Sequence, residues 1–411
     1  MGRSPLLVAA AALLALAGML TFNGALLALA IPPLAYLAIA QWDAPRAPSF
    51  AASHTLDQAL VARDAPVSVT LTVTGDHQRP LDLRIDAAIP AGLRLVDGEP
   101  TLRTRLLPGE TATLAYRVAG RRGIYRFGAA TITSYEPLGL LSATASVDAP
   151  ARLLIVPPAT PLRRLVIRAR KTRAAAGTVP ARLGGSGIAF FGVRPYQPGD
   201  PTRWINARLM ARHPENIVVN EFEQERAVDI GVILDARLGP VGATVGRELF
   251  DAAVDAAAAI AATLIDRGNR VGLLIYGKAL DWTFPGYGRV QRQRVLTALA
   301  RAEQGDSVAF ERLDYLPTRQ FPAGSQIVLI SSGQGDDIAT LRRLRASAYE
   351  VLLISPDPVT CELDELAHDP AVLLAGRVTA AERALFLRQA RALGVRVVDW
   401  NIARPLAEVL G

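Results

Sequence analysis

Cysteine is nearly absent. Cys361 stands alone in 411 residues, so no intrachain disulfide can form, and metal or redox frameworks built on several cysteines are excluded. That usage fits a reducing compartment. Lysine is scarce too: Lys171 and Lys278 are the only two, and arginine supplies the rest of the 45 basic residues. The net charge of +7 therefore reflects an arginine-, alanine- and glycine-rich composition, and no nucleic-acid reader motif accompanies it. A basic chain still favours anionic lipid or acidic partners. His54, His77, His213 and His368 are the only histidines, and none has a second histidine or cysteine at metal-ligand spacing.

Catalytic motifs are missing as well. There is no Gly-x-Ser-x-Gly elbow and no Ser/His/Asp set that can be nominated. Gly184-Gly185-Ser186-Gly187 lacks the Gly-Lys-Ser/Thr of a phosphate loop and reads as a flexible turn. The carboxylate groups Asp336-Asp337 and Glu362/Asp364/Glu365 fit polar loops and helix starts, where acids are favoured without any catalytic role. These absences point away from an enzyme.

What is abundant is apolar sequence, half of all residues. No charged residue occurs from Pro5 to Gln41, and Thr21-Phe22-Asn23-Gly24 separates two apolar runs, Leu6–Leu20 and Ala25–Ala40. Counted with their flanks, the runs approach the roughly 20 residues of a bilayer-spanning helix. Residues 1–43 are therefore expected to form a transmembrane helical hairpin, with Trp42 at the interface. Arg3 and Arg46 flank an uncharged turn, which predicts a cell-membrane protein with its large domains in the cytoplasm. A cleaved signal peptide is the rival reading, although its apolar core would be far longer than usual. Pro32-Pro33 predict a kink or a partly re-entrant second helix.

Over residues 50–158 the texture becomes short alternating runs such as Val67–Val73, punctuated by Gly75-Asp76, Asp97-Gly98 and Pro108-Gly109. About seven strands at this spacing predict an immunoglobulin-like antiparallel β-sandwich. The strands are expected at Leu81–Ile89, Ala112–Val118, Ile124–Ile132 and Ala151–Val156 as well. A connector, 159–225, opens with a basic stretch: Arg163, Arg164, Arg168, Arg170, Lys171 and Arg173. It reads as a solvated strand edge or as a contact for anionic headgroups or an acidic partner. Residues 226–411 alternate strand and helix. Val228–Leu234 is a continuous apolar run suited to a central parallel strand, and Glu248–Arg267 is an alanine-rich helix. A doubly wound α/β domain is expected, with ligands at the carboxyl ends of strands, from Asp235, Gly277 and Ser331 onward. There a divalent ion such as Mg or Mn would need converging oxygens, and Asp235 with Ser331 or Ser332 are the candidates. Arg237 beside them would oppose a cation.

The stretch Gly184–Asp235 carries a further signal in Phe190, Gly192, Arg194, Tyr196, Gln197-Pro198-Gly199-Asp200, Arg203, Ile205, Asn206, Arg208, Ala211, Arg212 and Glu221-Phe222-Glu223. Earlier, Arg122-Gly123-Ile124-Tyr125 and Glu136-Pro137-Leu138-Gly139-Leu140 add to it. Together they resemble the signature of the domain of unknown function 58 family. That resemblance implies a membrane hairpin, a β-rich domain and a von Willebrand factor A-like domain. The sequence departs from the family pattern at Ala189, Pro195 and Ala207. The A-like metal motif is reduced to Asp235-Ala236-Arg237-Leu238-Gly239, and the later Thr/Ser-Asp-Gly element to Ser331-Ser332-Gly333, so a vestigial cation site without a bound cofactor is expected.

Because family members are paired with MoxR-type AAA+ ATPases, the resemblance implies a non-enzymatic adaptor or assembly factor at the lipid bilayer. The residues of the motif read physically as a turn at Tyr196-Gln197-Pro198-Gly199-Asp200, surrounded by Arg194, Arg203, Arg208 and Arg212 that pair with local acids or with a partner's carboxylates. A cation-dependent adhesion or ligand-binding protein exposed outside the cell is the alternative.

Overall fold

In the computed structural model the described residues are 4–42, 49–135, 142–167, 173–212, 215, 217–239, 241–305, 321–322, 324–333, 337–366 and 369–410. The chain divides into two compact units, Met1–Val156 and Pro157–Gly411.

The first unit begins with helices α1 (Ser4–Leu20) and α2 (Gly24–Trp42). They turn through Thr21–Asn23, where the Asn23 side chain accepts from the Ala25 amide at 2.9 Å. Small residues bring them together: Ala11 and Ala30 are buried, and a Cβ on Gly18 would lie 2.9 Å from Leu27 Cγ. The expected transmembrane hairpin over residues 1–43 requires correction. At 1.5 Å per residue, the 17 residues of α1 reach about 26 Å, short of the roughly 30 Å of a hydrocarbon core. Pro32 and Pro33 lie inside α2. Among the described residues no helix is long and apolar enough to cross a membrane.

Eleven strands follow among the described residues: β1 (Ser49–Leu56), β2 (Leu60–Ala62), β3 (Val67–Asp76), β4 (Leu81–Ala87), β5 (Leu93–Gly98), β6 (Thr101–Leu106), β7 (Thr111–Gly120), β8 (Gly123–Phe127), β9 (Ala130–Tyr135), β10 (Ser142–Val147) and β11 (Ala151–Val156). Two antiparallel four-stranded sheets, β1-β3-β7-β5 and β10-β9-β4-β6, share one core, and a small sheet β2-β11-β8 completes the unit. Period-two alternation builds the core directly. In β3, Val67, Val69, Leu71 and Val73 are fully buried, and Val69 and Leu71 pair in register with Tyr116 and Leu114 of β7. The run Ile124–Ile132 is two strands rather than one, divided at Gly128-Ala129 between β8 and β9.

In the second unit, β12 (Arg173–Pro195) and β13 (Val218–Ala227) form a long antiparallel ribbon with several register shifts. Helix α3 (Ala207–Met210) lies between them. Then come β14 (Asp229–Asp235), α4 (Ala243–Asp266), β15 (Arg270–Tyr276), β16 (Leu280–Gly286), α5 (Gly288–Arg301), β17 (Gln326–Ile330), α6 (Asp337–Ala346), β18 (Glu350–Pro356), α7 (Pro358–Glu365), α8 (Pro370–Ala392), β19 (Arg396–Trp400) and α9 (Leu406–Val409). The sheet order is β16-β15-β14-β17-β18-β19, all parallel except the edge strand β16.

Strand β14 explains the two-sided wrapping. Ile230, Val232 and Leu234 join the core that contains Phe250 and Ile260 of α4, whereas Ile233 joins the opposite core with Leu341 of α6 and Phe386 of α8. Gly231 admits a close neighbour, since a Cβ there would meet the Phe321 ring at 2.8 Å. Truncating the fully buried side chain in Ile233→Ala should cost about 2–5 kcal/mol, read as a lowered midpoint in denaturant unfolding of the full chain.

Candidate functional site

The order of the parallel strands reverses between β14 and β17, so their carboxyl ends open a crevice, the usual ligand position in doubly wound sheets. Asp235 ends β14 and Ser331 follows β17. Ser331 Oγ donates to Asp235 Oδ2 at 2.6 Å and accepts from the Gly333 amide at 3.0 Å. Two of the expected oxygens therefore meet. Ser332 does not join them: its carbonyl accepts from Arg383 Nη1 at 3.2 Å and from Ser355 Oγ at 3.1 Å.

The cation at this position belongs to the protein. Arg237 Nε donates to Asp235 Oδ1 at 2.8 Å, and Arg237 Nη2 reaches Asp235 Oδ2 at 2.7 Å and Asp337 Oδ2 at 2.9 Å. The Arg237 amide adds a bond to Asp235 Oδ1 at 3.1 Å, and Gln304 Nε2 caps the Arg237 carbonyl at 3.2 Å. Arg237 is only 5% exposed. Burial opposes its charge, but hydrogen bonds and attraction from Asp235 and then Asp337 outweigh that, holding the guanidinium well above its ordinary pKa. Asp337 lies in the first turn of α6, where the helix dipole favours a carboxylate. Among the described residues, no group of three His, Cys, Asp or Glu stands close enough to hold a metal ion.

Glycines make the clamp possible. A Cβ on Gly277 would lie 2.7 Å from the Ala236 carbonyl, so only glycine lets the loop after β15 pass the loop carrying Arg237. Gly333 adopts φ +82° and would collide with the Phe386 ring if it carried a Cβ. Above the clamp, α4, α7 and α8 wall a cavity of about 1050 Å³ whose lining includes Asp235, Arg237, Phe250, Val359 and Phe386. Arg383 forms its second polar anchor, pairing with Asp357 at 3.2 Å and Asp399 at 2.5 Å.

The turn residues of the signature form a separate, tightly bonded group. Arg194 holds Asp200 in a bidentate pair, with both N···O distances at 2.7 Å, and sits 3.7 Å from Glu221. The Gln197 amide donates to Asp200 Oδ2 at 2.9 Å, the Asp200 amide closes the turn onto the Gln197 carbonyl at 3.0 Å, and Tyr196 bonds Ile217. Gly199 takes φ +108° beside Pro198, a backbone angle that suits glycine. Arg203, Arg208 and Arg212 are exposed. Asn206 caps α3 through the Leu209 amide and bonds Asn220 across the ribbon.

In the basic stretch, Arg163 and Arg164 are exposed beside buried Leu162 and Leu165, while Arg267 clasps the carbonyls of Leu162, Arg163 and Leu165. Arg168, Arg170, Lys171, His213, His368, Asp336 and Glu136–Leu140 lie outside the described residues. Arg173 begins β12, but its side chain lies outside them too. The sequence reading missed Asp337 as a member of the crevice, because its partner Arg237 is 100 positions away. It also missed Arg383, which looks like an ordinary helix charge until the fold brings it to Ser355 and Asp357.

The second unit thus belongs to the doubly wound α/β class, with an arginine-bridged carboxylate pair at the switch point. Residues 192–366 match the family described as "Protein of unknown function DUF58". The matched segment runs from the signature turn through Asp235, Arg237, Ser331 and Asp337 to the end of α7. None of the curated proteins matches the chain. Among solved structures, a FixG-related protein from Vibrio parahaemolyticus is 13% identical, with 26% of this chain and 95% of that chain covered and a TM-score of 0.18. Native alpha-2-macroglobulin from Escherichia coli is 20% identical, with 31% of this chain and 22% of that one covered and a TM-score of 0.23. At such TM-scores these likenesses carry nothing about this chain's function.

Two outcomes test the geometry. Arg237→Ala leaves two buried carboxylates facing each other and should destabilise the second unit by about 3–5 kcal/mol. Millimolar Mg or Mn should raise the melting temperature of that variant and leave the unsubstituted protein unchanged, as read by thermal unfolding. At the turn, Arg194 and then the Gln197 amide hold the Asp200 carboxyl below the ordinary carboxylate range. Its contribution is therefore complete above the unfolded value near pH 4 and is lost as pH falls through the lowered folded value. Protease nicking of the 195–200 turn should begin only below about pH 4 in the unsubstituted protein, but already at neutral pH in Asp200→Ala.

Proposed function

We propose that this protein is a non-enzymatic adaptor or assembly factor that works by protein–protein interaction with an AAA+ ATPase of the MoxR type. The observation that carries this reading is the Arg237 bridge. In the doubly wound unit, read here as von Willebrand factor A-like, the place where a cation would present a ligand site is filled by a tethered guanidinium. Binding at this face is then independent of metal, and both oxygens of Asp235 are already engaged by Arg237 and Ser331 rather than poised for proton transfer. The alternative, a cation-dependent adhesion protein facing outward, needs the very position that Arg237 takes.

The signature turn supplies the second support. Arg194 and Asp200 neutralise each other and rigidify it, so exposed Arg203, Arg208 and Arg212 project from a fixed scaffold toward partner carboxylates. Location at the cell membrane, with the large units on the cytoplasmic side, belongs to the same proposal. The apolar flanks of α1 and α2, including Leu13, Leu16, Met19 and Ile31, are exposed and suit contact with a lipid bilayer without a crossing.

The test is association of the detergent-purified full chain with the MoxR-type ATPase of the same organism, with and without ATP, by size-exclusion chromatography. Association is expected, and charge reversal of Arg203, Arg208 and Arg212 to Glu should weaken it at least tenfold. Absence of association in both nucleotide states would sink the proposal.

A further inference from the structure

We infer that the cavity between α4, α7 and α8 is the seat of an amphipathic, basic helix from a protein partner. The inference rests on the adaptor reading above and names the chemistry of what that face binds.

Shape comes first. The cavity of about 1050 Å³ is walled by apolar groups from three helices, among them Leu249, Val359, Leu363, Val372 and Leu385, with Val241 just before α4. Its apolar surface does not stop at the rim. Leu366 and Leu385 belong to the lining and are still about half exposed, at 46% and 51%. Along α8, Leu374, Val378, Ala381 and Leu385 recur at four-, three- and four-residue spacing and are all exposed, an apolar stripe on the neighbouring face of the helix that meets the cavity lining at Leu385. Only the second half of α8 is buried, through Phe386, Leu387 and Ala390. A groove walled by three helices, with exposed Leu366 and Leu385 carrying its apolar surface past the rim, fits a helix better than an extended strand or a compact ligand.

Charge then selects the partner. The chain as a whole carries +7, yet this groove is locally acidic. Its lining holds Asp235, Glu362 and Glu382 against Arg237 and Arg383. Both arginines are already neutralised from behind: Asp235 and Asp337 hold Arg237, and Asp357 and Asp399 hold Arg383. Glu382 stands exposed on α8 at the edge of the groove, and Glu362 accepts from the Gly242 amide at 3.0 Å across its mouth. An occupant with lysine or arginine beside its apolar face meets these carboxylates, whereas an acidic helix meets uncompensated like charge.

The experiment uses the full chain and a fluorescent amphipathic peptide of about five helical turns built from leucine and lysine, with a leucine–glutamate peptide of the same pattern as its counterpart. The net charge of the protein favours the acidic peptide by long-range attraction, so preference for the basic one isolates the groove. Expected are micromolar binding of the leucine–lysine peptide and at least tenfold weaker binding of its counterpart. Ala375→Trp, which fills the groove from an exposed helix position, should abolish binding, and Glu382→Lys should weaken it at least fivefold while both variants keep the melting temperature of the unsubstituted chain. Equal binding of both peptides, insensitivity to both substitutions, or capture by neutral phosphatidylcholine vesicles in place of the peptide would overturn the inference. Retained association with the ATPase in Ala375→Trp would remove the groove as the ATPase's seat and leave the adaptor reading standing.

Discussion

Everything at the carboxyl edge of the sheet depends on one buried guanidinium. Arg237 lies two residues after the central strand β14 and folds back to bridge Asp235, on its own loop, with Asp337, at the start of α6. Those two loops flank the switch point, where two carboxylates would otherwise repel each other at low dielectric. Isolating any one of the three charges would cost several kcal/mol, so the trio persists only as a set. The bridge thereby fixes the relative position of β14, β17 and α6 without an external ion.

That constraint propagates by packing. Ser331 Oγ reads Asp235, the Gly333 amide reads Ser331, and Gly333 lies against Phe386 of α8. Phe386 belongs to the core that also contains Ile233 of β14, so the polar chain above the sheet and the apolar chain below it meet on the same helix. On the other side, the Ala236 carbonyl accepts from the Gly305 amide and sits against Gly277. The loop carrying Arg237 is therefore held from both flanks. A guanidinium is suited to this task because its planar fork offers several donors at fixed angles, whereas an ammonium would have to choose among the oxygens.

How much of this was legible depends on sequence range. The alternation Val67–Val73 appears directly as alternate burial in β3, and the unbroken run Val228–Leu234 as a strand covered on both faces, because each pattern is complete within one element. Failures arise where two elements share one pattern or where the pattern is silent. Ile124–Ile132 kept its alternation across Gly128-Ala129 and hid the change of sheet. The N-terminal runs are apolar enough to suggest a crossing, but hydropathy alone does not measure helix length, and α1 stops after 17 residues at the Thr21–Asn23 turn. In the crevice, Asp235, Ser331 and the oddity of Arg237 could be seen locally. Their resolution required Asp337, 100 positions from the arginine, and no local pattern reports such a pair.

Local charge departs from total charge in the second unit. Composition makes this chain basic, and the exposed arginines near α3 express that composition on the surface. The crevice works the other way: each of its two arginines is overmatched by a pair of carboxylates, so the positive residues that shape it contribute no positive face. A guanidinium buried between acids acts as a structural part, whereas an exposed one near α3 leaves its charge on the surface. In the second unit arginine therefore shapes regions of opposite sign, and burial against carboxylates decides whether its charge reaches the surface.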